Sequence, residues 1–284
     1  MAEAKTSGVL YIVATPIGNL EDITHRAVRI LREASLIACE DTRQTRKLLD
    51  HYGIATSTVS YHEHNEAARA EELVRKIEQG MTVAQVSDAG MPGISDPGYR
   101  VIKLAIERGI TVVPIPGPSA LTAALVGSGL PIDTFEFRGF LPAKSGQRRT
   151  MLESLRASGD TIAFYEAPHR IRETMEDILA ILGPERPVVI ARELTKVHEE
   201  FIRGTAAQVR DLLCDREIKG EITLLIGAGP TTTPTASENT LAQRLKEIMR
   251  ERNLDEKAAL KIAAKERGLK KSEAYRELQR SKPR

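Results

Sequence analysis

Residues 82–98 read T-V-A-Q-V-S-D-A-G-M-P-G-I-S-D-P-G, and this stretch decides the fold class. It opens with Val83 and Val86 in a short β-branched run that reads as a buried parallel strand. It then becomes a loop too rich in Gly, Pro and Asp for regular structure. A helical pattern resumes at Tyr99-Arg100-Val101-Ile102-Lys103-Leu104-Ala105. Strand, irregular loop and helix form the unit from which open α/β sheets build ligand sites, at the carboxyl ends of their strands. Gly90, Gly93 and Gly98 permit close backbone approach, and Asp88 and Asp96 place acceptors beside it; alone, the loop reads equally well as a turn-rich connection with solvated acids.

The neighbouring loops change that balance. Val9 to Ala14 read as a first strand, leaving through Thr15-Pro16-Ile17-Gly18-Asn19-Leu20 into a helix with Ile23, Ala27, Ile30 and Leu31 at helical spacing. Neither a G-x-G-x-x-G fingerprint nor a phosphate-cradling G-x-x-x-x-G-K-[ST] loop is present there, which disfavours a nicotinamide or nucleoside-triphosphate site. Leu36 to Cys39 form a second strand ending in Glu40-Asp41-Thr42-Arg43, which reads as a helix N-cap with first-turn charge or as part of a site. A third strand near Thr58 to Tyr61 runs into His62-Glu63-His64-Asn65-Glu66. This lacks the H-E-x-x-H spacing of a metal helix, so no metal is expected and a polar rim is the better reading. Thr111 to Ile115 lead into Pro116-Gly117-Pro118-Ser119-Ala120, with Ser119 expected to cap a small-residue helix.

The 284 residues exceed the usual single-domain length, so two domains and an appendage are the default. No apolar run approaches a membrane span and residues 1–8 lack a signal-peptide layout, so a cytoplasmic protein without membrane contact is expected. Cys39 and Cys214 give neither metal spacing nor a disulfide framework and read as buried free thiols. The overall charge of +2 is uneven: residues 238–284 hold 14 Lys+Arg against 8 Asp+Glu. A basic terminal segment of this kind is either a solvated helical surface or the electrostatic footprint of a nucleic-acid binder.

Taken together, Y-I-V-A-T-P-I-G-N-L-E-D-I-T, E-D-T-R, H-E-H-N-E, V-S-D-A-G-M-P-G-I-S-D-P-G and P-I-P-G-P-S-A closely resemble the N-terminal half of the tetrapyrrole methylase superfamily. F-Y-E-A-P-H-R-I, A-R-E-L-T-K and G-E-I-T-L-L-I continue the resemblance, most strongly to the branch that methylates the ribose 2′-oxygen of a decoding-centre cytidine in 16S rRNA. The expected fold is α/β, two-domain and tetrapyrrole-methylase-like, with a small all-α, helix-turn-helix-like module at the C-terminus. Its expected divisions are residues 1–126, an N-terminal α/β domain; 127–229, a second α/β domain of mixed sheet whose first part, 127–146, reads as a Gly- and Pro-rich crossover; 230–238, a linker; and 239–284, a basic three-helix module.

The resemblance implies S-adenosylmethionine as methyl donor, in a cleft lined by Pro16, Gly18, Asp88, Gly90, Met91, Ile94, Ser95, Ser119 and Ala120 on one side. Tyr165, Glu166, Ile222 and Thr223 would close the other side. Methylating a ribose hydroxyl calls for a base or a field that stabilises a developing alkoxide. Glu40, Asp41, Arg43, Glu166 and His169 are the catalytic candidates, while Asp88 is better explained as a loop acceptor. Lys144, Arg148, Arg149, Lys270 and Lys271 are candidates for RNA contact. The implied partners are 16S rRNA, within the 30S subunit, and a second copy of the chain. Met91 stands where the RNA-methylating branch commonly has Thr, and the first loop lacks the glycine-rich form that goes with porphyrinoid acceptors. The rival readings are a methylase of a tetrapyrrole or other small molecule and a noncatalytic RNA-binding assembly factor.

Overall fold

Side chains alternate along β1 (Val9–Val13): Leu10 and Ile12 point to one face of the first sheet, Tyr11 and Val13 to the other. The same alternation runs through β2 (Leu36–Cys39) and β4 (Val83–Gln85), so both faces are apolar and both must be covered. In the computed structural model, which describes residues 8–229, 241–252, 255–266 and 274, helices cover them both. The helices α1 (His25–Glu33) and α2 (Thr42–His51) supply Ala27, Ile30, Leu31 and Leu49 to one face. The other receives Leu73, Val74, Ile77, Val101 and Ala105 from α3 (Glu66–Glu78) and α4 (Tyr99–Glu107). Each fully buried Leu or Ile contributes roughly 1.5–3 kcal/mol, which makes these two layers the main driving force for this half.

With β3 (Thr58–Ser60) and β5 (Thr111–Ile115), the first sheet has the order β3-β2-β4-β1-β5 and is parallel throughout. All strands therefore end on one edge, where the loops after β1, β2, β4 and β5 emerge together. A helix, α5 (Ala120–Ser128), follows β5 and lies against the second sheet.

The second sheet is mixed, in the order β6-β7-β10-β8-β9, with β6 (Phe135–Phe140), β7 (Thr161–Glu166), β8 (Pro187–Arg192), β9 (Glu200–Thr205) and β10 (Ile222–Ile226). Only β6 and β7 are parallel; β10 runs antiparallel to β7 and to β8, and β8 antiparallel to β9. One face is packed by α6 (Ser145–Ser154), α7 (Ile171–Leu182) and α8 (Ala206–Leu213), around Leu152, Phe164, Met175 and Leu224. The opposite face receives Leu121, Ala124 and Leu125 of α5 together with Ile17 and Leu194.

The segment 127–146, read from its composition as a crossover, in fact carries the edge strand β6 and opens α6. The alternation Phe135-Glu136-Phe137 is a genuine strand signal; the left-handed Gly139 (φ +65°) and a register shift between Phe137 and Phe140 interrupt it. Cys39 is buried as expected, but Cys214 is exposed at the end of α8.

The chain divides into two compact units, one ending at Ala228 and one beginning at Gly229. Two of the three expected helices of the second are seen, α9 (Leu241–Arg252) and α10 (Glu256–Glu266). Leu241, Leu245 and Ile248 pack with Ala259, Leu260, Ala263 and Ala264; of the expected third helix only Ala274 is described, buried in the same cluster. No helix among the described residues is long and apolar enough to cross a membrane.

Candidate active site

The loop after β1 and the loop after β4 are stitched together at the sheet edge. Thr15 N–H donates to the Gly90 carbonyl at 2.9 Å and Gly90 N–H donates back to the Thr15 carbonyl at 3.0 Å. The Thr15 hydroxyl donates to the carbonyl of Ser87 at 3.0 Å. Gly90 is left-handed (φ +75°), a conformation glycine adopts without the Cβ penalty. Farther along, Ser95 holds φ +62° with a side chain in place, a strained position of the kind concentrated at ligand sites.

These loops form one wall of a cavity of about 300 Å³, at the lower end of small-molecule sites. Gly90, Met91, Ile94 and Ser95 line it with Ser119 and Ala120, and Tyr165, Glu166, Ile222 and Thr223 face them from the ends of β7 and β10. Ten of the residues expected on a donor site thus converge on one space. Ser119 occupies the N-cap position of α5 but makes no capping hydrogen bond, so its hydroxyl is not spent on the helix as expected. Tyr165 is braced edge-on by Phe137, with ring centroids 5.0 Å apart, and by a tilted Phe140 ring at 5.6 Å.

Three expected lining residues lie elsewhere. Pro16 and Asp88 line an adjoining depression with Gln44, Thr45 and Lys47, which shares Ala89 and Glu221 with the main cavity. Gly18 lines neither, because its role is packing. A Cβ there would sit 2.4 Å from Lys196 Cγ, and Asn19 N–H donates to the Thr195 hydroxyl at 3.1 Å, so the glycine lets the first loop close on residues 193–196. Composition and motif did not single out Ile17, Phe140, Ala191 or Leu194, which line the cavity from the shared hydrophobic cluster or a strand end. Asp96, quoted only as a loop acceptor, also lines it, and the signal was its place in S-D-P-G between Ser95 and Gly98.

The carboxylates divide by environment. Asp41 caps α2, accepting the Arg43 N–H at 2.8 Å, and pairs with the Arg43 guanidinium at 2.7 Å. The Arg43 side-chain hydrogen bond holds Asp41 down to about 2, so the capping reading explains both residues. Asp88 accepts the Asp41 N–H at 3.1 Å, the loop role expected of it. Burial, followed by the negative charge of Asp88, raises Glu40 above the usual carboxylate range. Burial, with the charge of Glu40 second, raises Asp96 to about 6, and Tyr165 is raised by burial and then by Asp96.

Glu166 is buried and both of its carboxylate oxygens are hydrogen-bonded. Oε1 accepts from Ala167 N–H and from Arg170, and Oε2 accepts from the Thr174 hydroxyl at 2.8 Å. This arrangement fixes the start of α7 and leaves little acceptor capacity for catalysis, which corrects its place among the candidate bases. His169 is exposed and does not line the cavity.

The basic candidates separate in the same way. Lys144 is exposed at the N-cap position of α6, and Arg149 is exposed although it donates to Asp177 Oδ1 at 2.8 Å. Arg148 is 2% exposed and paired with Asp177 Oδ2 at 2.8 Å, so it is a core ion pair between α6 and α7 rather than a surface for RNA. Lys270 and Lys271 lie outside the described residues. Among the described residues no group of three or more His, Cys, Asp and Glu could hold a metal ion.

Comparison with known proteins agrees with this geometry. Residues 9–210 match the family model of the Tetrapyrrole (Corrin/Porphyrin) Methylases. A protein named ribosomal RNA small subunit methyltransferase I from Halalkalibacterium halodurans is 48% identical over 274 residues, covering 94% of this chain and 93% of its own. One of the same name from Synechocystis is 47% identical over 269 residues, covering 94% and 96%. Among solved structures, diphthine synthase superimposes with a TM-score of 0.61 at 14% identity over 78% of this chain and 90% of its own. Uroporphyrin-III C-methyltransferase from Thermus thermophilus, complexed with S-adenyl homocysteine, gives 0.55 at 18% over 78% and 97%; at these identities both show the shared fold. A match across most of the chain, on a structure with the same architecture, makes this chain a member of the tetrapyrrole methylase family.

Proposed function

We propose that the chain is a small-subunit ribosomal RNA methyltransferase that uses S-adenosylmethionine and modifies the ribose 2′-oxygen of a decoding-centre cytidine in 16S rRNA. The observation that carries this reading is the convergence of the loops after β1, β4 and β5 with the ends of β7 and β10 on one cavity, in a chain 48% identical over 94% of its length to a protein of that name. A zwitterionic nucleoside suits that space. Gly90 leaves backbone open beside Ile17, Ser95 and Ser119 offer hydroxyls, and the Tyr165 ring presents an apolar wall.

The donor, when bound, supplies a methyl group already activated on a sulfonium. The protein's part is to align the acceptor hydroxyl with that methyl and keep water out, and positioning of this kind can lower the barrier by roughly 7–11 kcal/mol. Leu194, Ala191 and Ile222 exclude water on one side, Ile17 and Ala120 on the other. Within this reading residues 1–126 carry the donor loops, 127–229 close the cleft, 230–238 link, and the basic segment 239–284 holds rRNA through its backbone, an electrostatic contact that salt weakens. Lys144 and Arg149 are themselves exposed and are further candidates for RNA contact. The reading includes a cytoplasmic homodimer acting on the 30S particle, supported by the sequence resemblance. Methyl transfer from labelled donor to 30S particles and to naked rRNA, with the modified nucleotide mapped, tests it.

A further inference from the structure

The depression beside the donor cavity has a volume of about 390 Å³, room for a second ligand next to the first. The two spaces share Ala89 and Glu221, so a molecule in one abuts a molecule in the other. Pro16, Leu20 and Leu48 give the depression an apolar wall, and Gln44 and Lys47 reach it from α2. Among the described residues lining either space, Lys47 is the one lysine or arginine. Its Nζ donates to Gln44 Oε1 at 2.8 Å and makes no ion pair with a described carboxylate, whereas Lys76, Lys103, Lys196 and Lys219 each have one. The two acids of the depression are engaged: Asp88 accepts the Asp41 N–H at 3.1 Å, and Glu221 holds the Lys196 ammonium at 3.0 Å.

We propose that this depression seats the acceptor nucleotide of the RNA, with Lys47 on the phosphate next to the reacting ribose and Gln44 on the base. This rests on the methyl-transfer reading above. The donor cavity, at about 300 Å³, has room for one ligand. Transfer needs the acceptor oxygen about 3–3.5 Å from the methyl carbon, so the acceptor must occupy a space that opens onto the donor. The depression does so across Ala89, whose side chain is a single methyl group.

The lining matches a nucleotide group by group. An exposed ammonium without a carboxylate partner is suited to a phosphate, whose neutralisation releases counterions. Gln44 gives its oxygen to Lys47, which leaves its amide NH₂ to donate, and the edge of a cytosine ring offers acceptors. The flat faces of base and sugar lie against Pro16 and Leu20. A single unpaired cation suits one phosphate rather than an acceptor ringed with carboxylates. Arg43, one turn earlier on the same face of α2, is exposed and paired with Asp41, so it adds to the basic rim less than Lys47 does.

The test uses the full chain, with Lys47→Ala, Lys47→Arg and Gln44→Ala, and with Lys103→Ala on α4 as a charge control. Methyl transfer to 30S particles at saturating donor gives kcat and KM at several salt concentrations, and calorimetry gives S-adenosylhomocysteine affinity. NMR follows the Gln44 side-chain amide, assigned by its absence in Q44A, as cytidine 5′-monophosphate is added to the S-adenosylhomocysteine complex. K47A should raise KM for 30S particles roughly tenfold, with kcat and S-adenosylhomocysteine affinity within about twofold of wild type. The slope of log KM against log salt should fall by about one in K47A and return in K47R, while K103A matches wild type. Q44A should raise KM by about threefold or more with the salt slope unchanged. Cytidine 5′-monophosphate should shift the Gln44 amide and bind K47A more weakly than wild type, whereas cytidine without phosphate should bind the two alike. A K47A enzyme with the wild-type KM and salt slope, a loss matched by K103A, a loss confined to donor affinity, or a Gln44 amide that the nucleotide leaves unmoved overturns the assignment while leaving the methyltransferase reading intact. Wild-type protein that binds donor but methylates neither 30S particles nor rRNA overturns the functional reading, and the assignment with it.

Discussion

Thr15 and Gly90, 75 residues apart in sequence, exchange both of their backbone hydrogen bonds, at 2.9 and 3.0 Å. This one antiparallel bridge joins the exits of two neighbouring parallel strands and fixes the wall of the cavity. Gly90→Val would place a β-branched residue at φ +75°, where even an unbranched side chain costs about 1–2 kcal/mol. The variant is expected to bind S-adenosylhomocysteine at least about tenfold more weakly, with a melting temperature lower by roughly 2–8 °C. Calorimetry and thermal denaturation read the two effects separately.

Gly18 has a steric role, and a double mutant exposes it. Gly18→Ala puts a methyl group 2.4 Å from Lys196 Cγ and 2.9 Å from its Cε, which forces the first loop away from residues 193–196. Overpacking of this kind costs about 1–3 kcal/mol. Lys196→Ala removes both clashing atoms, so G18A/K196A should recover more than half of the stability that G18A loses relative to K196A's own effect. Urea denaturation of the four proteins gives the coupling, and strict additivity would contradict the steric account.

Arg148 and Arg149 are adjacent in sequence and both hold Asp177, yet only Arg148 is buried. Asp177→Ala leaves a buried guanidinium without its partner and should cost about 3–5 kcal/mol. Arg149→Ala, at a half-exposed side chain, should cost no more than about 1 kcal/mol. Equal losses in the urea midpoints of the two variants would show that Arg148 is not the core member of the pair.

Much of this was readable in advance, for an identifiable reason. Glycine, proline and aspartate punctuate the loops after β1, β4 and β5, so the irregular backbone was visible in composition, and the short apolar runs of β1, β2 and β10 gave the strands between them. Less visible was what depends on contact across the fold. Arg148 looks like its neighbours in K-S-G-Q-R-R, and only the packing of α6 on α7 buries it. Gly18 looked like a ligand-contacting glycine because Lys196 lies 178 positions away in sequence. The edge strand β9 went unread because Glu200-Phe201-Ile202-Arg203-Gly204-Thr205 alternates weakly and carries a glycine. Glu166 seemed a free acid until Arg170 and Thr174 were brought onto it.

The raised Asp96 carboxyl has a consequence for stability that can be measured apart from activity. Its folded-state value of about 6 lies above the ordinary 3.8, so the native state keeps the proton longer than the unfolded chain. Ionisation therefore destabilises the fold as pH rises from 3.8 through about 6, and the penalty persists above that. Asp96→Asn should raise the melting temperature at pH 8, with the gain shrinking to nothing near pH 3.5. Thermal melts of both proteins at the two pH values check the sign, and a difference independent of pH would count against it.

Methyl transfer is the decisive measurement. The protein is incubated with labelled S-adenosylmethionine and either 30S particles or naked small-subunit rRNA, and the modified nucleotide is mapped and tested for alkali resistance. The account predicts label at one decoding-centre cytidine, in a linkage resistant to alkali because its 2′-oxygen is methylated, with 30S particles the better substrate. Donor binding without incorporation into either RNA substrate, or label on a base rather than a ribose, would contradict it.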